Sequence, residues 1–193
     1  MLRVTIRFPL GVYHAQSSAA FADPEWPPSP VRLIGALLAA AHEAPGVDAR
    51  AARVALERLC DAPPPRVIAP PAETIADADG RATVALLRGA SRWAPQNRMP
   101  DAGVSPRNLG RERAEVHKVG VAIGEAPVHF EWPDLVLGPV ELERLERLAG
   151  EVTFIGTSRS PAIVTADEAP APIDDVAVDR TWRPQPDDRI GRE

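Results

Sequence analysis

Residues 23–46 read DPEWPPSPVRLIGALLAAAHEAPG and hold both the clearest helix and the most distinctive motif of the chain. Ser29 stands where its hydroxyl can cap free backbone N–H groups, and Pro30 follows at the first helical position, where a missing N–H costs nothing. Val31, Ile34, Leu38 and Ala41, with Leu33 and Leu37 beside them, recur at helical spacing, which predicts a core face, while Arg32 and Glu43 reach water. Pro24, Pro27 and Pro28 stiffen the approach and hold Trp26 just before the helix, so the indole is expected to fold back over the first turn as a hydrophobic lid.

Upstream, Leu2, Val4, Ile6 and Phe8 alternate with Arg3, Thr5 and Arg7, the pattern of a half-buried strand. A loop-like stretch containing Tyr13 and His14 joins it to the helix. Downstream, Pro45 and Gly46 end the helix, and Asp48 can cap a second one running through Cys60, with Val54, Ala55 and Leu59 inward. Pro63, Pro64, Pro65, Pro70 and Pro71 then exclude helix and leave Val67 and Ile68 as a short edge strand. Asp77 to Gly80 reads as a turn and Thr83 to Leu87 as a second central strand. Alternation returns in Pro127 to Trp132, a third strand, and Pro139 opens a helix that ends at Gly150, with Glu143 placed to pair with Arg147. Glu151 to Ile155 is expected as a fourth strand, followed by the turn GTSRS and a further strand over Ala162 to Thr165. Beyond Asp167 the chain is rich in Pro and Asp, the composition of a tail or linker.

The order strand, helix, strand, strand, helix, strand predicts an α+β fold: the ferredoxin-like βαββαβ sheet of RNA-recognition modules, with two main helices, an extra helix and a long insertion. Residues 1–166 would form that domain, and 167–193 a linker toward a further domain. Arg3, Thr5, Arg7, His129 and Glu131 should then face outward on the sheet. None of them can stack a base, so any RNA is expected to be held by backbone contacts and by loops.

The chain has 193 residues, a net charge of −5 and one cysteine, Cys60. That length fits one elaborated domain, and a lone cysteine supports neither a disulfide framework nor a cysteine-based zinc site, so a reducing cytoplasmic compartment is the expectation. The apolar run from Leu33 to Ala41 is far short of the roughly 18–20 residues a membrane helix needs, and the N-terminus lacks a signal-peptide core, so no membrane partner is expected. An acidic total argues against a protein whose whole surface binds nucleic acid. The charge is segregated, however: from Arg88 to Lys118 seven basic residues (Arg88, Arg92, Arg98, Arg107, Arg111, Arg113 and Lys118) face three acidic ones. One basic segment on an acidic body is the pattern of a localised anion-binding arm. Its arginines suit bidentate phosphate contacts, and Trp93 suits stacking on an unpaired base. A connection of this length in a compact domain is seldom a passive loop.

No phosphate-binding P-loop, HExxH, GxSxG or His/Cys cluster is present, so no cofactor or metal is expected. Metal-independent RNA cleavage needs a base for the 2′-hydroxyl, an acid for the leaving oxygen and a cation for the developing charge. Tyr13, His14, His117 and Lys118 could supply these if their loops met, which makes an endoribonuclease the alternative to binding alone. GTSRS, with Arg159, reads equally as a small anion nest and as a plain turn.

GVYHA, PEWPPSPVRLIGALLAAAHE, PVHFEWP, VTFIGTSRS and WRPQPDD, in that order, resemble the N-terminal half of the GSU-type Cas-five/Cas-six fusion subunit of type I-U (I-G) CRISPR complexes. The resemblance implies the Cas-five portion: a noncatalytic RNA-binding subunit of a type I antiviral (Cascade) complex, with a thumb inserted between its second and third strands. Such a subunit holds the 5′ handle of CRISPR RNA and contacts a Cas-seven-type backbone subunit and a Cas-eight-type large subunit, near target DNA at the protospacer-adjacent motif. The basic segment falls where that thumb belongs, and Tyr13, His14 and Arg159 would line the end of the sheet. One Cas-five branch cleaves RNA with Tyr, Lys and His side chains, which keeps the nuclease alternative open. A module that binds only protein is a third reading.

Overall fold

A computed structural model describes residues 1–17, 23–43, 49–75, 120–173 and 181–182. The expected strand over Thr83–Leu87, the turn at Asp77–Gly80 and the whole basic segment lie outside the described residues.

Three helices, α1 (Pro30–Glu43), α2 (Ala49–Asp61) and α3 (Pro139–Gly150), pack on one another and share one core with a five-stranded sheet. The sheet contains β1 (Leu2–Arg7), β3 (Arg66–Ile68), β6 (Val128–Trp132), β7 (Ile163–Glu168) and β8 (Thr181–Trp182), in the spatial order β7-β1-β6-β3-β8 and antiparallel throughout. A second sheet of two-residue strands, β2 (Val12–Tyr13), β4 (Glu73–Thr74) and β5 (Val121–Ala122), has the order β2-β5-β4. The fold is therefore α+β.

Strict alternation in β1 sets the register. Leu2, Val4 and Ile6 lie opposite Trp132, Phe130 and Val128 of β6, and all six are buried. On the other side of β1, Val4 and Ile6 meet Ala166 and Val164 of β7, so the same face continues across three strands. Leu33, Leu37, Leu59, Leu145 and Leu148 close this core from the helices.

Four expectations change. The buried face of α1 is Leu33, Leu37, Ala40 and Ala41, while Val31 and Leu38 are exposed: in an alanine-rich helix several faces are apolar, and packing rather than periodicity selects one. Val54 of α2 is likewise exposed, with Ala52, Ala55, Leu56 and Leu59 inward. Residues 151–155 form no strand; only an isolated bridge joins Phe154 to Pro161, and the further strand expected over Ala162 to Thr165 is β7, beside β1. Finally, Val67 and Ile68 lie within a strand that pairs on both sides, with β6 and with β8, so the residues after Asp167 contribute to the sheet instead of simply leaving it.

The start of α1 is held by backbone and by Glu25. Arg32 and Leu33 N–H donate to the Ser29 carbonyl, and the Ser29 N–H donates to Glu25 Oε1 at 2.8 Å. At α3 the Gly138 N–H donates to Glu141 Oε2 at 2.9 Å, a bond that holds this carboxyl below its ordinary range, and Arg58 adds a 2.6 Å ion pair. Among the described residues no helix is long and apolar enough to cross a membrane.

Candidate functional site

The chain leaves the described core after Ile75 and re-enters at Gly120, and these two points are tied together: the Ile75 N–H donates to the Gly120 carbonyl at 3.0 Å. Thr74 pairs with Val121, and Val121 pairs with Tyr13, so the connection that carries the basic segment is rooted on the small sheet beside Tyr13 and His14.

His14 is wedged into that root. Its N–H donates to Ser160 Oγ at 2.8 Å, and the Ser160 hydroxyl lies 3.4 Å from the His14 carbonyl, so one side chain serves both backbone groups. A Cβ at Gly120 would sit 2.2 Å from His14 Nδ1, a distance no contact tolerates. Gly156 has φ +85°, and a Cβ there would come within 3.0 Å of the His14 carbonyl and 3.1 Å of the Tyr13 ring. Both glycines are thus required by close approach.

Tyr13 packs between Phe8 and Trp26, with ring centroids 5.3 and 5.8 Å away. Trp26 packs against the core beside Tyr13, and its indole N–H donates to the Pro70 carbonyl at 3.1 Å. The two segments are zipped antiparallel: the Glu25 N–H donates to the Ala15 carbonyl and the Ser17 N–H to the Asp23 carbonyl. Glu25 also takes the Arg32 guanidinium at 2.7 Å, and although burial opposes it, this pairing raises the Arg32 pKa. GVYHA, PEWPPSP and GTSRS, which are remote in sequence, therefore meet in one place.

Tyr13 is fully buried, its hydroxyl has no hydrogen-bond partner among the described residues, and burial followed by the Glu25 charge pushes its phenol well above the ordinary range. A phenol so strongly held in its protonated form is a poor base. His14, at 2% exposure, is shielded from any substrate. Arg159 is half-buried in a turn whose N–H groups close on Thr157: Arg159 N–H reaches Oγ1 at 3.4 Å and Ser160 N–H reaches the carbonyl at 2.9 Å. Those amides are spent within the turn, which favours the plain-turn alternative over an anion nest. Arg88, Arg92, Trp93, Arg98, Arg107, Arg111, Arg113, His117 and Lys118 lie outside the described residues. Gly120 and Glu25 were not singled out by sequence reasoning, and Ser160 entered only as part of GTSRS; their importance lies in contacts between segments far apart in the chain.

The outward face of the sheet is not the open surface expected. Glu131 is fully buried, held between Arg3 at 2.8 Å and Arg66 at 2.5 Å. Burial alone would raise its pKa, but the hydrogen bonds from Arg66, Arg3 and the Ile173 N–H outweigh burial and hold it below the usual carboxylate range. Next to this group, Thr5 Oγ1 and His129 Nδ1 are 3.0 Å apart, and burial with the nearby Arg3 charge lowers the His129 pKa. No protein-family model and no curated protein matches the chain.

Proposed function

We propose that the chain is an architectural, noncatalytic RNA-binding subunit of a type I CRISPR antiviral complex, of the Cas-five kind, with a ferredoxin-like core. It holds the 5′ handle of CRISPR RNA through Arg88, Arg92, Arg98, Arg107, Arg111, Arg113 and Lys118, with Trp93 stacking on a base. The observation that carries this reading is the strand order β7-β1-β6-β3 together with the position of the basic segment. β1 and β3 both run antiparallel to β6, and β6 and β7 both run antiparallel to β1, which supports reading α1 and α3 as the two crossovers of a split βαβ unit. The basic segment falls in the connection between its second and third strands, where a thumb belongs. The hydrogen-bonded ends at Ile75 and Gly120 give that arm a fixed root.

Burial of Tyr13 and His14 favours binding over cleavage, since general acid–base work needs a group within reach of the scissile phosphate. Protein contacts have a surface of their own. Val31 is 77% and Phe154 44% exposed, and a groove of about 320 Å³ lined by Gly35, Ala39, Glu43 and Phe154 lies between α1 and residues 151–156. The Cas-seven-type and Cas-eight-type subunits are the partners this reading assigns to the acidic body.

The test compares the chain with a variant in which Arg88, Arg92, Arg98, Arg107, Arg111 and Arg113 are all Gln, using labelled repeat RNA in EDTA. The parent is expected to retard the RNA and leave it whole on a denaturing gel, and the variant to lose at least tenfold in affinity. Equal binding by the two would reject the arm. RNA cut by the parent but not by His14→Ala would establish the nuclease instead.

A further inference from the structure

Residues 151–156 leave the end of α3 and form one wall of the groove beside α1. Next to this wall the Ile155 N–H donates to the Ser160 carbonyl at 3.2 Å and the Ala162 N–H donates to the Thr153 carbonyl at 3.0 Å, on either side of the Phe154–Pro161 bridge. In an antiparallel pair this pattern turns the N–H and carbonyl of Phe154 away from Pro161. Neither has a partner among the described residues, and the ring is exposed as well. Opposite, α1 presents Gly35, Ala36 and Ala39, and a Cβ built on Gly35 would meet nothing within 4 Å. The groove is therefore open at its centre, with an aromatic side chain and one main-chain donor and acceptor on its wall.

The two ends of the groove differ in charge. Gly156 approaches Tyr13 and Ala15, and Arg32 donates to the Gln16 carbonyl at 2.8 Å, so Gly156 and Arg32 mark the same end. There the guanidinium is already held by Glu25. Glu43, the last residue of α1, and Glu151, the first beyond α3, mark the other end; both are exposed, and neither has an ion pair among the described residues. The C-termini of two helices lie beside these carboxylates and add partial negative charge. The basic residues of those last turns are His42 and Arg147, and Arg147 is taken by Glu143 at 2.6 Å. Two carboxylates and two helix ends face one histidine, a balance that favours an incoming cation.

We propose that this groove docks an extended segment of a protein partner, aliphatic at its centre and carrying a Lys or Arg at the end beside Glu43 and Glu151. The backbone of the segment pairs with the free N–H and carbonyl of Phe154, an aliphatic side chain sits over Gly35 and Ala39 against the Phe154 ring, and the cation meets the two carboxylates. Main-chain bonds supply affinity in this mode of recognition, and the side-chain seats supply specificity. The inference deepens the assignment of this groove to protein contact and rests on that assignment, not on RNA binding by the arm.

Selection from a random dodecapeptide library displayed on phage tests it, with the full chain as bait and Gly35→Leu, which fills the open floor, as the counter-selection. Peptides that prefer the parent are expected to share aliphatic residues in alternation followed by Lys or Arg. A synthetic peptide of that consensus should bind Gly35→Leu at least tenfold more weakly and slow exchange of the Phe154 amide at least threefold in the parent. A second variant, Glu43→Lys with Glu151→Lys, changes only exposed side chains. It should also bind the peptide at least tenfold more weakly, and exchanging the peptide's basic residue for Glu should restore binding to this variant. No peptide that distinguishes the parent from Gly35→Leu, or a consensus peptide indifferent to the charge reversal, would overturn the proposal. The selection contains no RNA, so such a failure is separate from the retention of repeat RNA that tests the arm.

Discussion

Glu131 is fully buried and is bonded by two guanidiniums and one backbone amide. Its pKa is lower in the folded chain than the ordinary 4.5, so its contribution to stability is present above about pH 4.5 and lost as pH falls through the depressed folded value. His129 is also depressed relative to 6.5, so the unfolded chain takes up its proton first and stability declines as pH drops below about 6.5. Urea melts at stepped pH should show both limbs; His129→Gln should flatten the upper one. Glu131→Ala leaves two arginines facing each other and should cost about 3–5 kcal/mol, the range for breaking a buried ion pair. An unchanged urea midpoint would contradict this. Glycine at 120 makes a matching steric prediction. Gly120→Ala should destabilise by about 1–3 kcal/mol through the clash with His14, while Gly35→Ala, on α1 with open space around it, should stabilise by about 0.5–1 kcal/mol. Thermal melting of both variants separates the two directions.

Among the elements, α1 shows how packing decides what composition leaves open. Leu37→Ala should cost about 2–5 kcal/mol because the side chain is fully enclosed, whereas Val31→Ala should change stability by less than about 0.5 kcal/mol, as read by denaturant unfolding. Sequence periodicity favoured Val31 as much as Leu33, because Gly35, Ala36, Ala39 and Ala40 blur the difference between faces. The strands β1 and β6 were legible because each alternates over five residues or more and has one apolar face. β3 was harder to place: three residues flanked by prolines resemble an edge, and only the pairing of Arg66 with Glu131 and Ile68 with His129 puts it next to β6. Val152 and Ile155 look like a strand in isolation, yet they are buried as part of a turn that serves His14. Residues 169–173, which cross the polar face of the sheet, escaped notice for a related reason. A run of Pro and Ala has no hydrophobic period, and what seats it is a set of backbone hydrogen bonds to side chains more than a hundred residues away.

For the molecule as a whole, the described sheet and helices form an acidic body whose polar sheet face is crossed by residues 169–173, and the small sheet gathers Tyr13, His14 and the two ends of the basic connection at one corner. The candidate arm residues could be read from charge segregation, whereas their root could not: it depends on Gly120, Gly156 and Ser160 meeting across the fold. On the reading proposed here, buried Tyr13 and His14 support an arm and are not a reactive pair. If an arm on this root grips RNA by its backbone, binding must release counterions in proportion to the phosphates engaged.

The most direct measurement is therefore the affinity of the purified chain for repeat RNA across a salt series in EDTA, beside a scrambled RNA of equal length. With about four arginines on phosphates, the account predicts a log–log slope near −3, tighter binding of the repeat and RNA that stays intact. Affinity independent of salt, or no binding even when the chain is assembled with its partner subunits, would contradict it.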